Sequence, residues 1–225
     1  MHTHSLCALE SSVGHTFSDR SYIVMALTHR SSVIHKKDPT NERLEFLGDR
    51  VLGLVVADML YRAFPEENEG DLARRFAALV SRESLARVAQ CIQLDHFLIL
   101  SPGEEHAGGR KKTALWANAC EALIGALYMD AGLEGASSFV QRYWEPLMGE
   151  AKQPPKDFRT SLQEWAQKRG LPLPVYDVVS AEGPDHSPRF VVRVTVEGRP
   201  PQTAEGATKK EASQAAARCL LEILL

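Results

Sequence analysis

Apolar residues recur every three or four positions along the first two thirds of the chain, and this spacing predicts amphipathic α-helices. The pattern then changes to the alternation of RFVVRVTVEG, which is typical of a half-buried β-strand. An Ala-rich helical pattern, TKKEASQAAARCLLEIL, follows near the end. We therefore predict an all-α domain followed by a small α+β domain. The helical segments predicted for the first domain are 20–34, 42–63, 70–80, 82–94, 114–130 and 133–148.

The boundary between the two domains is predicted from MGEAKQPPKD, whose Gly, Lys, Gln and paired prolines are typical of an exposed linker. We assign residues 4–149 to the first domain, 150–156 to the linker and 157–225 to the second domain. A helix, strands at VYDVVSAEG and RFVVRVTVEG, a short strand near 202–204 and the last helix give the second domain the order αβββα. The helix is predicted over 158–169.

An acidic face stands out in the apolar segment NERLEFLGDRVLGLVVADML. Glu42, Glu45 and Asp49 are three and four residues apart, so a helix places all three carboxylates on one side. Leu and Val cover much of the remaining surface, which predicts a core helix. Buried acids require compensation, either from cations such as Arg43 and Arg50 or from a group outside the chain.

A second acid, Glu121, lies in the apolar segment ANACEALIGALY, with Asn118 one helical turn before it. Thr113 is a plausible N-cap of this helix and Gly132 marks its end. A single Glu in an apolar helix is more often a salt-bridged structural residue. If the two acidic helices pack together, they assemble an all-oxygen cluster that suits Mg²⁺ or Mn²⁺. The glycines that would permit this close approach are Gly48, Gly53 and Gly125.

Composition and charge constrain the function only weakly. The chain is 44% apolar with a net charge of −3, which splits into −5 over residues 1–150 and +2 over 151–225. The four cysteines are scattered without metal-ligand spacing, and Cys120 and Cys219 fall in apolar helical patterns. They fit small buried thiols in a reducing compartment. No signal segment or membrane-spanning run is seen, so we expect a cytoplasmic protein without a membrane partner.

The motif NERLEFLGD resembles the signature helix of the ribonuclease III family. Other segments of the first domain share the likeness: ALTHRSS, FPEENEGDLARRFAALVSRESLA and GGRKKTALWANACEALIGALYMDAG. The second domain resembles a double-stranded-RNA-binding domain through KDFRTSLQEWAQ, GPDHSPRF and ATKKEASQAAA. The resemblance implies the ribonuclease III endonuclease fold followed by an RNA-binding domain. It also implies an endonuclease that cuts double-stranded RNA, including precursor ribosomal RNA and structured messenger RNA.

Site residues carried over from the resemblance fall into three groups. Glu45, Asp49 and Glu121 match the family's metal-binding acids, with Asp49 and Glu121 the catalytic pair, and Mg²⁺ is the implied cofactor, for which Mn²⁺ can substitute. Glu42 and Glu69 match auxiliary acids of the cleavage cleft. Phe46 matches an aromatic residue that inserts into the partner subunit of a symmetric homodimer. Such a dimer places one active site on each strand, and its staggered cuts leave 5′-phosphates and 3′-overhangs.

The second domain suits recognition of an A-form duplex by shape, phosphates and 2′-hydroxyls. Lys209 and Lys210 begin the last helix, where the helix dipole adds to their charge. Gln163, Glu164 and His186 are the candidate groups for two minor grooves. In the first domain, the run of Arg110, Lys111 and Lys112 is either a phosphate-binding group beside the metal site or a set of flexible surface cations.

One position departs from the family pattern, because Asn118 stands where an Asp is usual. Its amide oxygen can still bind a metal or orient water, but it brings no charge, so we expect activity with weaker metal affinity. Two competing hypotheses remain at this point: a non-catalytic RNA-binding protein that keeps the fold, and a structural helical bundle whose acids only form salt bridges. Retention of Glu45, Asp49 and Glu121 opposes the first, and the RNA-binding pattern opposes the second.

Overall fold

The structure is a computed structural model, and it describes residues 6–35, 38–150, 157–183 and 188–225. The chain divides into two compact units, Met1–Pro155 and Lys156–Leu225. Apart from Glu150, the predicted linker 150–156 lies outside the described residues. The α-helices of the first unit are α1 (Leu6–Val13), α2 (Arg20–Leu27), α3 (Glu42–Ala63), α4 (Glu69–Leu79), α5 (Arg82–Cys91), α6 (Pro102–His106) and α7 (Thr113–Glu150).

The helical character predicted for the first unit is confirmed, but the helix predicted over 82–94 ends at Cys91, since Gln93 adopts left-handed backbone, and α6 was not predicted. Two further differences lie near the beginning of the unit. The helix predicted over 20–34 ends at Leu27, and a 3₁₀ turn follows at Arg30–Ser32. The reason is tertiary pairing: Thr28 adopts extended backbone and forms a β-bridge with Ile99, which lies far away in the sequence. Helix α1 was not predicted, although its Leu9 and Val13 are buried in the core.

Helix α7 is the central element of the first unit. The two helices predicted on either side of Gly132 are both present, and they join through a kink where Gly132 adopts φ 67° and ψ −166°. Thr113 is the first helical residue rather than the cap. Nearly all of the segment from Ala117 to Leu127 is buried, because α2, α3 and α5 pack around it.

Helices α3 and α7 cross at unusually close range, and two of the three predicted glycines explain this. A Cβ on Gly48 would overlap the carbonyl oxygen of Glu121, and one on Gly125 would overlap that of Leu44. Gly53 has a different neighbour, since a Cβ added there would lie 3.5 Å from the ring of Phe76 on α4. The crossing at Gly48 and Gly125 therefore determines which faces of α3 and α7 meet.

The second unit has the predicted order αβββα. It consists of α8 (Phe158–Gln167), β1 (Val175–Glu182), β2 (Arg189–Thr195), β3 (Gln202–Gly206) and α9 (Lys209–Leu224). The strands form an antiparallel sheet in the order β1-β2-β3. The predicted alternation of β2 is confirmed, because Val192 and Val194 are buried against the helices whereas Arg193 is exposed. Ala216 and Ala217 of α9 are also fully buried, as expected for a small-residue face close to a sheet.

Candidate active site

The close crossing of α3 and α7 brings the two acidic helix faces together. Glu45 and Asp49 of α3 interact electrostatically with Glu121 of α7. Burial raises the pKa of Glu121 to about 7, and the charges of Asp49 and Glu45 add to the shift. Burial also raises the pKa of Glu45, together with the charges of Glu42 and Asp49, whereas a side-chain hydrogen bond with Asn118 lowers it. The four predicted metal ligands thus share one site.

The chain itself supplies part of the compensation that these acids require. Arg50 pairs with Asp49, as the sequence suggested for this cation. Arg30 pairs with Glu42, with 3.2 Å between its Nη1 and the carboxylate Oε1. Arg82, at the start of α5, is close enough to Glu121 to lower its pKa. Each of these three acids therefore faces an arginine.

The donor set of the site fits a hard divalent cation, because it consists of carboxylate and amide oxygens and the acids repel one another. In the part of the chain that the structure describes, no three acidic, His or Cys side chains are arranged to hold a metal ion as they stand. Asp49 is turned toward Arg50.

The remaining nuclease-domain candidates lie at the surface. Glu42 and Glu69 are exposed at the first turns of α3 and α4. Of these two acids, Glu42 is the one whose charge acts on Glu45. The side chain of Phe46 is 67% exposed, and the Arg50 guanidinium carbon lies 5.5 Å from the centre of its ring. Phe46 therefore presents a large apolar group at the surface.

The cations before α7 are tied into local contacts. Arg110 donates to both carboxylate oxygens of Glu105 at 2.7 Å and to the backbone carbonyls of Asp95 and Leu98. Lys112 pairs with Glu104 at 2.7 Å. These contacts close the loop in front of α7, and they give Arg110 a structural role that the sequence did not predict.

The RNA-binding candidates of the second unit are exposed wherever the structure describes them. Gln163 and Glu164 lie on the outer face of α8. Lys209 and Lys210 begin α9 directly after its N-cap, Thr208, whose hydroxyl oxygen accepts a hydrogen bond from the backbone N–H of Glu211 at 3.1 Å. His186 lies outside the described residues. Helix α9 thus presents two cations at its positive end.

Sequence reasoning missed two arginines of the site, Arg30 and Arg82. Both come from segments that no spacing rule connects to the acids, and only the packing of α5 on α7 and the turn after α2 bring them near. The signal that existed was the N-cap Ser81 directly before Arg82, which fixes where α5 begins. The prediction of a buried thiol is confirmed for Cys120, which is fully buried and whose pKa burial raises, whereas Cys219 is only half-buried.

Comparison with known proteins is consistent with this architecture. A family model described as "Ribonuclease-III-like" matches residues 19–147, and one described as "Double-stranded RNA binding motif" matches residues 158–224. A protein named Ribonuclease 3 from Azorhizobium caulinodans is 48% identical over 221 residues, covering 97% of this chain and 94% of the relative. Ribonuclease 3 from Caulobacter vibrioides is also 48% identical, over 95% of this chain and 94% of the relative.

Among solved structures, the chain is similar to the nuclease domain of ribonuclease III from Campylobacter jejuni. The TM-score is 0.59 and the identity 42%, over 62% of this chain and 95% of that domain. For the Campylobacter domain, structural flexibility has been described in a region involved in dimer formation. Within the described residues of the present chain, no helix is long and apolar enough to cross a membrane.

Proposed function

Because the chain belongs to the ribonuclease III family, whose members are endoribonucleases acting on double-stranded RNA, we propose that it hydrolyses both strands of an RNA duplex with the help of Mg²⁺. Mn²⁺ would be able to substitute. The observation that carries this proposal is the electrostatic coupling of Glu45, Asp49 and Glu121 at the crossing of α3 and α7. The same chain carries a double-stranded-RNA-binding unit, so the proposed catalytic site and the unit that would bind its substrate belong to one molecule.

Glu45, Asp49, Glu121 and the amide oxygen of Asn118 are the groups that would hold the cation. A divalent cation bound there supplies positive charge that polarises the phosphodiester and favours attack by water. Asp49 and Glu121 are the catalytic pair of this proposal, and Glu42 and Glu69 are auxiliary acids of the cleft. The partial burial of Glu121 limits competing water around the reacting group.

RNA binding is assigned to the second unit. Lys209 and Lys210 would contact phosphates across the major groove, and Gln163, Glu164 and His186 would contact the flanking minor grooves. The exposure of Lys209, Lys210, Gln163 and Glu164 supports this assignment. The contacts of Arg110 with Glu105 and two carbonyls favour a structural role, so we do not include it among the RNA ligands.

We further propose a homodimer that cuts the two strands with a stagger, leaving 5′-phosphates and 3′-overhangs. Phe46, Leu54 and Tyr61 are all strongly exposed on α3. At about 100° per residue they fall within about 80° of one another around the helix, so they form one apolar stripe. An exposed stripe of this kind is typical of an interface. Light scattering that gives the mass of a single chain at micromolar concentration would contradict the dimer.

The expected cellular substrates are precursor ribosomal RNA and structured messenger RNA, and the expected compartment is the cytoplasm. The four cysteines, all of which lie within the described residues, form no disulfide with one another, and this agrees with a reducing environment.

The first experiment incubates the purified chain with a long RNA duplex in Mg²⁺, in Mn²⁺ and in chelator, and analyses the product ends. We expect metal-dependent cleavage with 5′-phosphates. Glu121→Gln should lower the cleavage rate by about 100-fold or more, because altering even the groups that support metal ligands costs 10–100-fold. Duplex binding should be unchanged.

The matched control is Glu134→Gln, the same chemical change at an exposed position of α7, which should cleave normally. Tight binding without cleavage in either metal would support the non-catalytic alternative instead. Equal loss of binding and cleavage in Glu121→Gln would show that Glu121 is structural.

A further inference from the structure

The first turn of α8 is held by a side chain from another helix. Its N-cap is Asp157, whose Oδ1 accepts a hydrogen bond from the backbone N–H of Thr160 at 3.0 Å. The first N–H groups of a helix have no acceptor within that helix. In α8 the N–H groups of Phe158 and Arg159 donate to Oε1 of Gln214 on α9, at 2.8 and 3.4 Å.

The side-chain amide of Gln214 uses both of its ends in this contact. Its Nε2 donates to Oδ1 of Asp157 at 2.9 Å, so the two residues form a bridge between α8 and α9. The orientation of the amide is determined, because backbone N–H groups can only donate and a carboxylate can only accept. Burial alone would raise the pKa of Asp157, but hydrogen bonds from Thr160 and Gln214 contribute to lowering it overall.

This bridge lies close to the RNA-binding candidates of both helices. Gln163 and Glu164 follow the N-cap of α8 by six and seven residues, and Lys209 and Lys210 precede the bridging glutamine by five and four. At about 1.5 Å of rise per residue, all four lie within about 11 Å of the bridge along their helix axes. The bridge therefore fixes the end of the helix pair that carries these side chains.

The two helix starts depend on each other unequally. At the start of α9, the hydroxyl of Thr208 accepts from the N–H of Glu211, and the Glu211 carboxylate accepts from the N–H of Ala207 at 3.0 Å. Residues next to α9 and in its own first turn thus hold its start. The start of α8 relies on Gln214, so loss of this side chain should release α8 and leave α9 in place.

We propose that Gln214 is a positioning residue for RNA binding, because its amide holds the start of α8 against α9 so that the minor-groove candidates of α8 and the lysines of α9 meet one duplex together. An A-form duplex presents its phosphates and 2′-hydroxyls in a fixed spatial relation, so the helices that contact them need a fixed relation too. The inference rests on the RNA-binding assignment of the proposed function.

Amide hydrogen exchange in the full chain tests the contact without RNA. Gln214→Met keeps the length of the side chain and removes both of its hydrogen-bonding groups. The N–H groups of Phe158 and Arg159 should then exchange faster by about 5-fold or more, as expected for a lost cap. The N–H groups of the buried β2 residues Val192 and Val194 should be unaffected. Unchanged exchange at the start of α8, or equal acceleration in β2, would overturn the proposal.

Binding of a long RNA duplex at several salt concentrations tests the positioning. Gln214→Met should weaken binding by about 10-fold, the loss of about one net hydrogen bond. The slope of log affinity against log salt should not change, because the lysines keep their phosphate contacts. The matched control is Gln167→Met, the same change at an exposed position at the end of α8, which should bind normally. An unchanged affinity of Gln214→Met would show a structural role alone and overturn the proposal.

An exchange of donor and acceptor across the bridge provides a rescue. Gln214→Glu alone places two carboxylates against each other and should weaken binding at least as much as Gln214→Met. Adding Asp157→Asn should restore both exchange protection and affinity, because the amide introduced at position 157 can donate to the carboxylate introduced at position 214 and still cap α8. A double variant that binds no better than Gln214→Glu would overturn the proposal. If Gln214→Glu alone does not fold, recovery of a folded chain with Asp157→Asn supports the bridge, and failure to recover overturns it.

The same measurements separate this inference from the proposed function. Duplex binding that follows the bridge in every variant, without cleavage of the duplex in Mg²⁺ or Mn²⁺, would support the role of Gln214 while the metal-dependent function fails. An unmodified chain that binds no duplex would contradict both.

Discussion

At the residue scale, Glu121 makes the metal-free site sensitive to pH. Its pKa is raised from the ordinary value of 4.5 to about 7 by burial and by the charges of Asp49 and Glu45. The folded state therefore holds a proton that the unfolded state releases, and the contribution of Glu121 to stability falls as the pH rises from about 4.5 to about 7. A divalent cation competes with this proton for the same carboxylate.

We expect the thermal stabilisation by Mg²⁺ to be small at pH 5.5 and clearly larger at pH 8. Melting curves with Mg²⁺ and with chelator across this range measure the effect. In Glu121→Gln the pH dependence of the Mg²⁺ response should become weaker, since the raised pKa of Glu45 then remains as the source of proton competition in the site. A Mg²⁺ response of equal size at both pH values in the unmodified chain would contradict the proton competition.

The buried acid Asp130 titrates below the pH range of Glu121. Burial opposes ionisation of Asp130, but hydrogen bonds from the backbone N–H of Asp19, from His15 and from the backbone N–H of Ser18 lower its pKa overall. A lowered pKa stabilises the folded state above the ordinary value, and this stability is lost only as the pH falls below it. Asp130 therefore acts below the range in which Glu121 titrates.

The sequence predicted the acids of the site and one of their partners, Arg50, but not the other two arginines. Helical spacing alone placed Glu45 and Asp49 on one helix face, and the same spacing placed Asn118 one turn before Glu121 on a second helix. The family resemblance then assigned their roles. Arg30 and Arg82 could not be found this way, because their proximity depends on how the turn after α2 and the start of α5 pack in three dimensions. Nor could spacing show that Arg110 donates hydrogen bonds to Glu105 and to two backbone carbonyls.

At the element scale, the proposed active site depends on the close crossing of α3 and α7. A Cβ at Gly48 would overlap backbone of α7, which cannot move aside as a flexible side chain can. We expect Gly48→Ala to destabilise the first unit by about 3 kcal/mol or more, at the upper end of overpacking costs. Chemical denaturation measures the change, and cleavage should fall with it because the acids separate.

Gly53→Ala is the control, since it adds the same methyl group to the same helix. Its Cβ would meet the Phe76 ring at 3.5 Å, an ordinary van der Waals distance. We expect no loss, and up to about 1 kcal/mol of gain from replacing a helical glycine. If Gly48→Ala and Gly53→Ala behave alike, the crossing is not the constraint described here.

Helix limits were predicted correctly where the periodic pattern was long. They were predicted incorrectly where pairing with a distant segment determined the backbone conformation. The segment 42–63 was predicted with its observed limits, because α3 keeps an apolar stripe throughout. The segment 28–34 continued a helical pattern but left the helix, since the backbone of Thr28 accepts from Asn41 and that of His29 donates to Ile99. Hydrogen bonds to residues distant in the sequence do not alter the local spacing of apolar residues, so this spacing could not predict them.

At the scale of the whole molecule, the chain has two units with separate hydrophobic cores, and the residues proposed for chemistry and for RNA binding lie in different units. The first core is built around α7, and the second lies between α8, α9 and the sheet. The acids all lie in the first unit, whereas Lys209 and Lys210 lie in the second. Binding and chemistry should therefore respond to different substitutions.

Replacing both lysines by glutamine should weaken duplex binding and leave the cleavage rate at saturating RNA nearly unchanged. Each lost phosphate contact should reduce the slope of log affinity against log salt by about 1, so the double variant should lose about 2. Binding measured at several salt concentrations gives this slope, and single-turnover cleavage gives the rate. Lys168→Gln is the control, because Lys168 is an exposed cation at the opposite end of α8 from its N-terminus. A slope unchanged by the double substitution would place the phosphate contacts elsewhere, and a cleavage rate that falls at saturating RNA would mean that these lysines also position the duplex in the nuclease site.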